Sequence, residues 1–388
     1  MSRNLFKLIE RNARRNLRRT VLTTLTMALA TFIFTVLVSV PASMDRIIKD
    51  ASTTLRLIVN NKTAPWYDLP ARYCDTISKL PGCAACVAIT GWPATWHDVS
   101  EAVFTVGEGP EGGEVFPDYL SKDHNHQFAI AKERRAAIVG ELLMKKYGWK
   151  LGQQITLRST GPPAMDLTFV IMDTIKSKHY PNSFVFNRGY LMEAYKAHGM
   201  GDVDFAWQLV VRADSSDHLA MLAKEIDERF ANSDAETRSE TESDALSTSL
   251  SQLGNVRGIV VSLCAIVILT VMLIAANSTA MMVRERINEV AVMRALGFRR
   301  GAIGILLFGE CAAIGIVGGG IGAGLAYWLF AGGATLGPVL NGFGALYVMP
   351  VPAIYGFATA IFVSLVSALI PVTGALRIAP ALAFRKVT

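Results

Sequence analysis

The sequence contains little charge. Only 18% of its 388 residues are Asp, Glu, Lys or Arg, and 51% are apolar, whereas soluble domains average about 25% charged residues. The motifs of several common active sites are also missing, since the sequence has no Walker A loop, no GxSxG nucleophile elbow and no HExxH zinc motif. We therefore predict a membrane protein that is not an enzyme, with no catalytic residue and no cofactor or metal bound by this chain.

Cysteine is rare as well, with five residues in the whole sequence. Cys74, Cys83 and Cys86 lie in CDTISKLPGCAAC, where a CxxC spacing without a thioredoxin-like context is a weak redox signal. We expect a structural disulfide from Cys74 to either Cys83 or Cys86, which leaves one thiol unassigned. His124 and His126 have the spacing of two metal ligands, but without further ligands a solvated loop is the better interpretation.

Long apolar runs, by contrast, are abundant. Four of them reach the roughly 20 helical residues that a bilayer requires: residues 20–40, 256–282, 302–330 and 351–376. A cleaved signal peptide is disfavoured at the first run, because its apolar core is too long. The predicted fold class is an α-helical membrane protein with four transmembrane helices. The remaining segments are a flank (1–19), a large insertion (41–255), a charged loop (283–301), an uncharged loop (331–350) and a tail (377–388).

Lys and Arg residues determine the predicted orientation. Outside residues 41–255 the chain has 16 Lys or Arg against 4 Asp or Glu, and inside that range 22 against 28. Because cytoplasmic flanks are enriched in Lys and Arg, we place both termini and residues 283–301 on the cytoplasmic side of the cell (inner) membrane. Residues 41–255 are then extracytoplasmic. The positive charge does not lie on this soluble part, which argues against a nucleic-acid partner.

The flank at residues 1–19 is strongly basic. Its leucines recur at near-helical spacing, which predicts an amphipathic helix on the anionic inner leaflet of the lipid bilayer. An ordinary positively charged flank would look much the same, so both interpretations stay open.

The insertion at 41–255 combines strand and helix patterns. Runs rich in β-formers recur in LRLIVNN, CVAITGW, AVFTVGE, AAIVG, QQITLRS, LTFVIMDTI, SFVFN and FAWQLVVRAD. Helical patterns separate some of them, at residues 69–80, 141–148, 188–197 and 216–231. This mixture predicts an α+β extracytoplasmic domain between spans 1 and 2. In the polar stretch 233–255, leucines at helical spacing favour a helix leading into the second span, with a flexible connector as the alternative.

The charged loop, VRERINEVAVMRALGFRRG (283–301), separates two apolar runs. It holds five arginines and two glutamates in a helix-compatible order. A loop that only sets topology would explain the arginines, but it would explain neither Glu285 nor Glu289. We therefore predict a helix that docks a soluble partner. Its coupling surface would comprise Arg284, Glu285, Arg286, Glu289, Arg294, Arg299 and Arg300.

Two polar residues, Glu310 and Asn277, lie within the apolar runs. A carboxylate in lipid requires a partner or water, so Glu310 is either a coupling residue or one half of a static ion pair. The stretch GGGIGAG is not a phosphate loop, because it lies inside an apolar span. Instead, Gly315, Gly319 and Gly322 are predicted to form one face for close packing of helices.

These features together resemble the FtsX-like, MacB-like permease family of ABC transporters. The stretch from Arg284-Glu285-Arg286 to Arg294-Ala295-Leu296-Gly297 is similar to the family's R-x-R-E-I-x-x-x-R-A-L-G signature. Here Asn288-Glu289 stands where Glu-Ile is commoner, and Phe298 replaces a small residue. Further likenesses are Glu310 with the glycine-rich span, the close from Pro371 to Arg385, and AAIVGELLMKKYGWKLGQQITL (136–157), in which Gln153 replaces the usual acid.

The resemblance implies a non-catalytic permease subunit that homodimerises and pairs with a separate ABC ATP-binding subunit. In such a complex the charged loop receives ATP-driven motion, and the spans pass it to the external domain for export or extraction of a substrate. The alternative is a membrane receptor whose external domain binds a ligand and signals through a partner. An external enzyme that uses the histidines and cysteines is a more remote one. The sequence names neither the substrate nor a periplasmic adaptor.

Overall fold

The computed structural model describes residues 17–98, 101–117, 133–175, 180–252, 254–335 and 345–377. The chain divides into two compact units. The helical unit comprises Met1–Ser43, Asn255–Gly332 and Tyr347–Thr388, and the α+β unit comprises Met44–Gly254 and Gly333–Leu346. The amphipathic helix predicted at 1–19 and the tail at 377–388 lie almost wholly outside the described residues, as do His124 and His126, so these stay predictions.

Four helices are long and apolar enough to cross a membrane. They are α1 (Leu17–Ala51), α8 (Val256–Glu285), α10 (Arg300–Phe330) and α11 (Pro350–Arg377). Each contains one of the predicted apolar runs, and the α+β unit is inserted after the first, so the predicted fold class is confirmed. α1 extends beyond the predicted span, because the helix continues through Pro41 to Ala51.

Hydroxyl-bearing residues line the buried side of α1. Thr31, Thr35 and Ser39 are buried at intervals of four residues. Each hydroxyl donates a hydrogen bond to the backbone carbonyl four residues earlier, at 2.7 or 2.8 Å. These local bonds satisfy the hydroxyl groups inside an apolar bundle, where small polar residues permit close approach of helices.

The glycines of α10 pack against two different helices. A Cβ atom on Gly319 would lie 2.6 Å from the Cβ of Ala360 on α11, and one on Gly315 would meet the same helix. A Cβ atom on Gly322 would instead meet the carbonyl oxygen of Ala28 on α1. The expectation that the three glycines share one face therefore needs correction. Residues three apart on a helix differ by about 60° in direction, which is enough to reach a neighbouring helix.

The α+β unit alternates short helices with strands. Its helices are α2 (Tyr73–Ile77), α3 (Gly112–Val115), α4 (Glu141–Tyr147), α5 (Arg188–Ala197), α6 (Leu219–Arg229) and α7 (Glu242–Gln252). Its longer strands are β1 (Arg56–Asn61), β3 (Cys83–Gly91), β6 (Thr105–Glu108), β7 (Ala136–Gly140), β8 (Gln154–Ser159), β9 (Asp166–Ile175), β10 (Phe184–Asn187), β12 (Gln208–Ala213) and β13 (Thr237–Thr241). Strands of two residues are β2 (Leu69–Pro70), β4 (Ala94–Thr95), β5 (Ala102–Val103), β11 (Phe205–Ala206), β14 (Ala334–Thr335) and β15 (Ala345–Leu346). Each β-rich run of the sequence forms a strand, in agreement with the predicted α+β class.

One mixed sheet organises this unit, in the order β13-β1-β12-β3-β6-β10-β7-β9-β8-β4-β5. β6 with β10 and β7 with β9 pair in parallel, and the remaining neighbours are antiparallel. Helices α2 and α6 cover one part of a sheet face, around Leu57. Helices α4 and α5 cover another part, around Phe184. Because side chains alternate along a strand, Ile58 and Val185 face the opposite side, in a third apolar cluster.

The stretch 233–255 differs from the helix predicted for it. Thr237–Thr241 forms the edge strand β13, and only Glu242–Gln252 is helical. The carboxylate of Asp227 on α6 holds this strand, because it accepts hydrogen bonds from the Ser239 N–H at 3.1 Å and the Thr237 hydroxyl at 3.0 Å. β13 pairs with β1, which lies far away in the sequence, so the local leucine spacing could not reveal the strand.

A disulfide joins Cys74 on α2 to Cys86 on β3, with the two Cα atoms 5.5 Å apart. It settles the choice of partner that the sequence left open. Cys83 keeps a free thiol that is half-buried. Burial raises the pKa of the Cys83 thiol, and the nearby negative charge of Asp214 raises it further.

Candidate functional site

The charged loop does not form one continuous helix. α8 ends at Glu285, and Arg286, with a φ of −105°, separates it from α9 (Ile287–Ala295). α10 then begins at Arg300. The helix predicted at 283–301 is therefore interrupted twice, at Arg286 and at residues 296–299.

Gly297 determines where α9 ends. Its φ of +89° lies in the left-handed region that glycine adopts without strain. The Gly297 N–H donates to the Arg294 carbonyl at 3.1 Å, and the Phe298 N–H donates to the Met293 carbonyl at 3.0 Å. This pair of bonds is a Schellman motif, which satisfies carbonyls at the end of a helix. The glycine of the Arg-Ala-Leu-Gly sequence is thus required by backbone geometry.

One side of α9 packs into the helical unit. Val290 and Ala291 are buried. Val290 belongs to an apolar cluster with Ile303 and Leu307 of α10 and Val372 of α11. The segment is therefore anchored to two membrane-spanning helices by apolar contact, and it is not a loop that projects freely.

An ion pair reinforces this anchor. The Nη1 of Arg286 donates to both carboxylate oxygens of Glu310 on α10, at 2.6 and 2.7 Å. The side chains are only 11% and 7% exposed. A carboxylate in an apolar span is costly to leave unpaired, so Arg286 supplies the partner that Glu310 requires. The ion pair is the static alternative expected for Glu310, and it also joins the start of α9 to α10.

Two further contacts connect the charged loop to the other spans. Arg19 on α1 donates to Glu285 at the end of α8, at 2.6 Å. The Nη1 of Arg294 donates to the carbonyl of Leu376 on α11 at 3.1 Å. Together with the Arg286–Glu310 pair, these bonds link the segment to α1, α10 and α11.

The opposite side of the segment is exposed. The side chains of Leu296 and Phe298 are 73% and 55% exposed, and Val292 is exposed beside them. We call this the outer surface, and its residues are Arg284, Val292, Leu296, Phe298, Arg299 and Arg300, all exposed. A patch of apolar side chains rimmed by arginines is typical of a protein-binding surface.

The outer surface only partly matches the coupling surface predicted from the sequence. Arg284, Arg299 and Arg300 are exposed, whereas Glu289 is half-buried. Arg286 and Arg294 turn inward, because Glu310 and a free carbonyl at the end of α11 attract them, and Glu285 pairs with Arg19. Phe298 was not predicted as a member of the site, although a large apolar residue directly after a helix-ending glycine was a usable signal.

Asn277 lies on an exposed face of α8. This face carries residues at alternating intervals of four and three, which we call the α8 seam: Ile259, Leu263, Ile266, Thr270, Leu273, Asn277, Ala280 and Arg284. All but the half-buried Ala280 are exposed in the single chain. The spacing is that of a heptad seam, along which two helices pack, and an amide in such a seam finds its partner on the facing helix.

The histidines of the α+β unit make local contacts. His218 lies 2.6 Å from Asp214, and this hydrogen bond lowers the pKa of the Asp214 carboxyl. The Nδ1 atom of His97 lies 3.5 Å from the Oε2 atom of Glu101. Within the part of the chain that the structure describes, no group of three or more His, Cys, Asp or Glu residues has a metal-binding arrangement.

Comparison with known protein families gives a match for the C-terminal part of the chain. Residues 261–380 match the family described as "FtsX-like permease C-terminal". This range contains the outer surface, α9, Glu310 and most of the α8 seam. The resemblance predicted from the sequence is therefore confirmed over this C-terminal range. Comparison with curated proteins gives no significant match.

Three solved structures similar to the chain are domains of larger membrane proteins described as transporters or permeases. The extracellular domain of the noncanonic ABC-type transporter YknZ from Gram-positive bacteria is 13% identical, with a TM-score of 0.35, over 48% of this chain and 98% of that domain. The periplasmic region of MacB from Actinobacillus actinomycetemcomitans is 10% identical, with a TM-score of 0.36, over 51% and 92%. A domain of a putative permease from Porphyromonas gingivalis is 14% identical, with a TM-score of 0.31, over 48% and 88%. Likenesses of this size define neither an activity nor a partner.

Proposed function

We propose that this chain is the transmembrane permease subunit of an FtsX-like ABC transporter, and that its outer surface docks a separate ATP-binding subunit. The proposal is carried by one observation: the outer surface lies on and around the short helix α9, which is exposed on one side and anchored on the other to the spans. A helix held in this way passes a displacement by a bound partner on to the spans, whereas a flexible loop would change its own conformation instead. Nucleotide binding and hydrolysis belong to the partner, and this chain contributes no catalytic residue.

The side chains of the outer surface define the chemistry of the partner. Phe298 and Leu296 are large apolar groups suited to fill a pocket, and apolar anchors of this kind contribute most of the energy of many interfaces. Arg299 and Arg300 beside them favour acidic residues at the rim of that pocket. We therefore expect the ATP-binding subunit to present an apolar pocket bordered by Asp or Glu.

Motion of α9 would reach the spans through the contacts that hold it. The Arg286–Glu310 pair acts on α10, the Arg294–Leu376 hydrogen bond acts on α11, and the Arg19–Glu285 pair joins α8 to α1. Since Lys and Arg are enriched on the cytoplasmic side, the outer surface lies in the cytoplasm and the α+β unit outside it. The spans then pass ATP-driven motion to the extracytoplasmic unit, for export or extraction of a substrate.

A second copy of the chain covers the α8 seam in this proposal. The seam is apolar along most of its length, and Asn277 and Thr270 lie within it at an interval of seven residues. In lipid, an amide that pairs across two helices contributes about 0.6–2 kcal/mol. A homodimer would therefore give the Asn277 amide a partner on the facing helix, whereas the Thr270 hydroxyl already donates to the Ile266 carbonyl within α8.

Purification of the tagged full-length chain from its own cells tests the docking role. We expect vanadate-sensitive ATPase activity to co-purify with it. In the double variant Arg300→Glu, Phe298→Ala, this activity should fall at least about tenfold, because it loses an apolar anchor and gains repulsion from an acidic rim.

The matched control is Lys79→Glu with Leu151→Ala. It also reverses one positive charge and truncates one large apolar side chain, but at exposed positions of the α+β unit. This variant should retain the co-purifying activity. If the double variant at Arg300 and Phe298 kept full activity while reaching the membrane normally, the outer surface would not be the docking site.

A further inference from the structure

A cavity of about 270 Å³ lies within the α+β unit. It is on the face of the sheet opposite to the helices α2, α4, α5 and α6, and α7 forms part of its wall. Apolar side chains contribute most of the lining, among them Ile58, Ile89, Phe104, Phe116, Val210 and Leu246. A protein interior is normally packed without voids much larger than a water molecule. A cavity of this volume is thus an unusual feature of the unit.

Strand register places one amide in this cavity. Leu57 and Val59 of β1 face the helix-covered side, so Ile58 and Asn60 face the cavity. The Oδ1 of Asn60 is buried and finds no hydrogen-bond partner among the described residues. A buried acceptor without a donor is rare in native structures, and a donor group that reached the Asn60 amide from the cavity would satisfy it.

The charged groups at the cavity wall are already paired. Glu242, at the start of α7, accepts hydrogen bonds from the Arg56 Nε at 2.8 Å, the Tyr180 hydroxyl at 2.6 Å and the Thr54 hydroxyl at 2.7 Å. The Arg56 guanidinium also lies 5.0 Å from the centre of the Phe116 ring. Because the carboxylate and the guanidinium satisfy each other, the described residues of the wall offer no unbalanced charge, and an ionic ligand would lose its hydration there without compensation from them.

We propose that this cavity is a binding site for a small neutral amphiphile, whose apolar body fills the cavity and whose O–H or N–H group donates to the Oδ1 of Asn60. The volume accommodates at least about nine heavy atoms, taking about 30 Å³ for each water-sized group. Medium-chain alcohols have this size and chemistry. The site stands independently of the proposed permease function, since it rests only on the α+β unit.

Photolabelling of the full-length chain in lipid nanodiscs tests the site, because the position of the label separates binding in the cavity from partition into lipid. The probe is an octanol that carries a diazirine, and its methyl ether, which cannot donate a hydrogen bond, is the matched ligand. We expect the alcohol to label peptides that contain Phe116, Leu246 or Val210, about five- to tenfold more than the ether does. Unlabelled alcohols should compete better as the chain lengthens, up to a size limit.

Two variants make the result decisive. Asn60→Leu should remove the preference for the alcohol over the ether while it keeps labelling by both. Ala245→Phe fills the cavity from α7 and should abolish labelling there, whereas Ala220→Phe, an exposed position on α6, should change nothing. The proposal is overturned if the label appears only in the spans. It is overturned equally if Ala245→Phe, with its Cys74–Cys86 disulfide intact, labels like the unaltered chain. It is also overturned if Asn60→Leu keeps the alcohol preference, since the O–H of the probe would then donate to a group other than Asn60.

Discussion

Glu310 of α10 accepts two hydrogen bonds from a single nitrogen of Arg286, at 2.6 and 2.7 Å, at the point where α8 gives way to α9. The break in the helix and the ion pair occur together. Arg286 leaves the helical path of α8 and its side chain reaches the only acid inside an apolar span. A residue that turns away from solvent in this way contributes to the rigidity of the segment rather than to partner recognition.

The single variant Glu310→Gln should destabilise the chain by about 3–5 kcal/mol, because it removes the carboxylate charge that pairs with the buried Arg286 guanidinium. The double variant Arg286→Met, Glu310→Leu should recover most of this loss, since apolar side chains suit the apolar surroundings. The free energy of unfolding, measured in detergent micelles, should distinguish the single variant from the double variant. Arg158→Gln breaks an exposed pair with Asp166 and should cost under about 1 kcal/mol. Equal losses in the single and double variants would contradict this account.

Gly297→Ala should destabilise α9 by about 1–2 kcal/mol, because a Cβ atom is unfavourable at a φ of +89°. No atom would clash with that Cβ, so the cost is conformational alone. Gly301→Ala is the matched control: its Cβ also meets open space, but the residue lies in α10, where alanine is favoured by up to about 1 kcal/mol. Opposite signs of the two changes in unfolding free energy are expected. The same sign for both would argue against the helix-end role of Gly297.

Alkylation of Cys83 should be slow at pH 8 and should continue to accelerate above pH 9. The reason is the raised pKa of its thiol, since a higher pKa leaves less reactive thiolate at a given pH. Ser216→Cys, at an exposed position of the same unit, should react faster at pH 8. Asp214→Asn should shift the Cys83 profile to lower pH, because it removes a negative charge that raises the pKa. A Cys83 profile identical to that of the exposed cysteine would refute this environment.

Cross-linking between copies checks the α8 seam. In a chain whose Cys83, Cys264 and Cys311 are replaced by alanine, Leu273→Cys should form an intermolecular disulfide under mild oxidation in native membranes. Ile274→Cys is also exposed and lies at the same depth, but it points about 100° away, so it should cross-link far less. Asn277→Leu should weaken the dimer, because it removes the amide pairing across the seam. Equal cross-linking at residues 273 and 274 would show that α8 is not the interface.

Much of the architecture could be predicted from local patterns. Apolar length alone identified the four spans, and runs rich in β-formers identified most strands of the α+β unit, because both patterns depend only on residues close in sequence. What escaped prediction depends on distant partners. β13 forms by pairing with β1, which is distant in the sequence. Arg286 turns inward only because Glu310 lies on α10. The choice of Cys86 over Cys83 as the disulfide partner depends on where α2 packs on the sheet.

The candidate site was therefore predicted as a segment but not residue by residue. The arginines of the loop look equivalent in the sequence, yet Arg286 and Arg294 are structural while Arg299 and Arg300 are exposed. The cavity beside Asn60 gave no signal in the sequence at all, because a void arises from the packing of several distant strands.

The pairing of β1 with β13 has a mechanical consequence. β1 closely follows α1 in the chain, and β13 leads through α7 to α8, while Leu57 pairs with Thr241, so both connections enter this strand pair at the same end. A force that pulled the two connections apart would separate β1 from β13 by breaking their hydrogen bonds one after another, starting at this end. Two paired strands resist a force in this direction least. The Arg56–Glu242 ion pair, buried at that end, joins β1 to the start of α7. It therefore opposes separation of β13 from β1 at the point where that separation would begin.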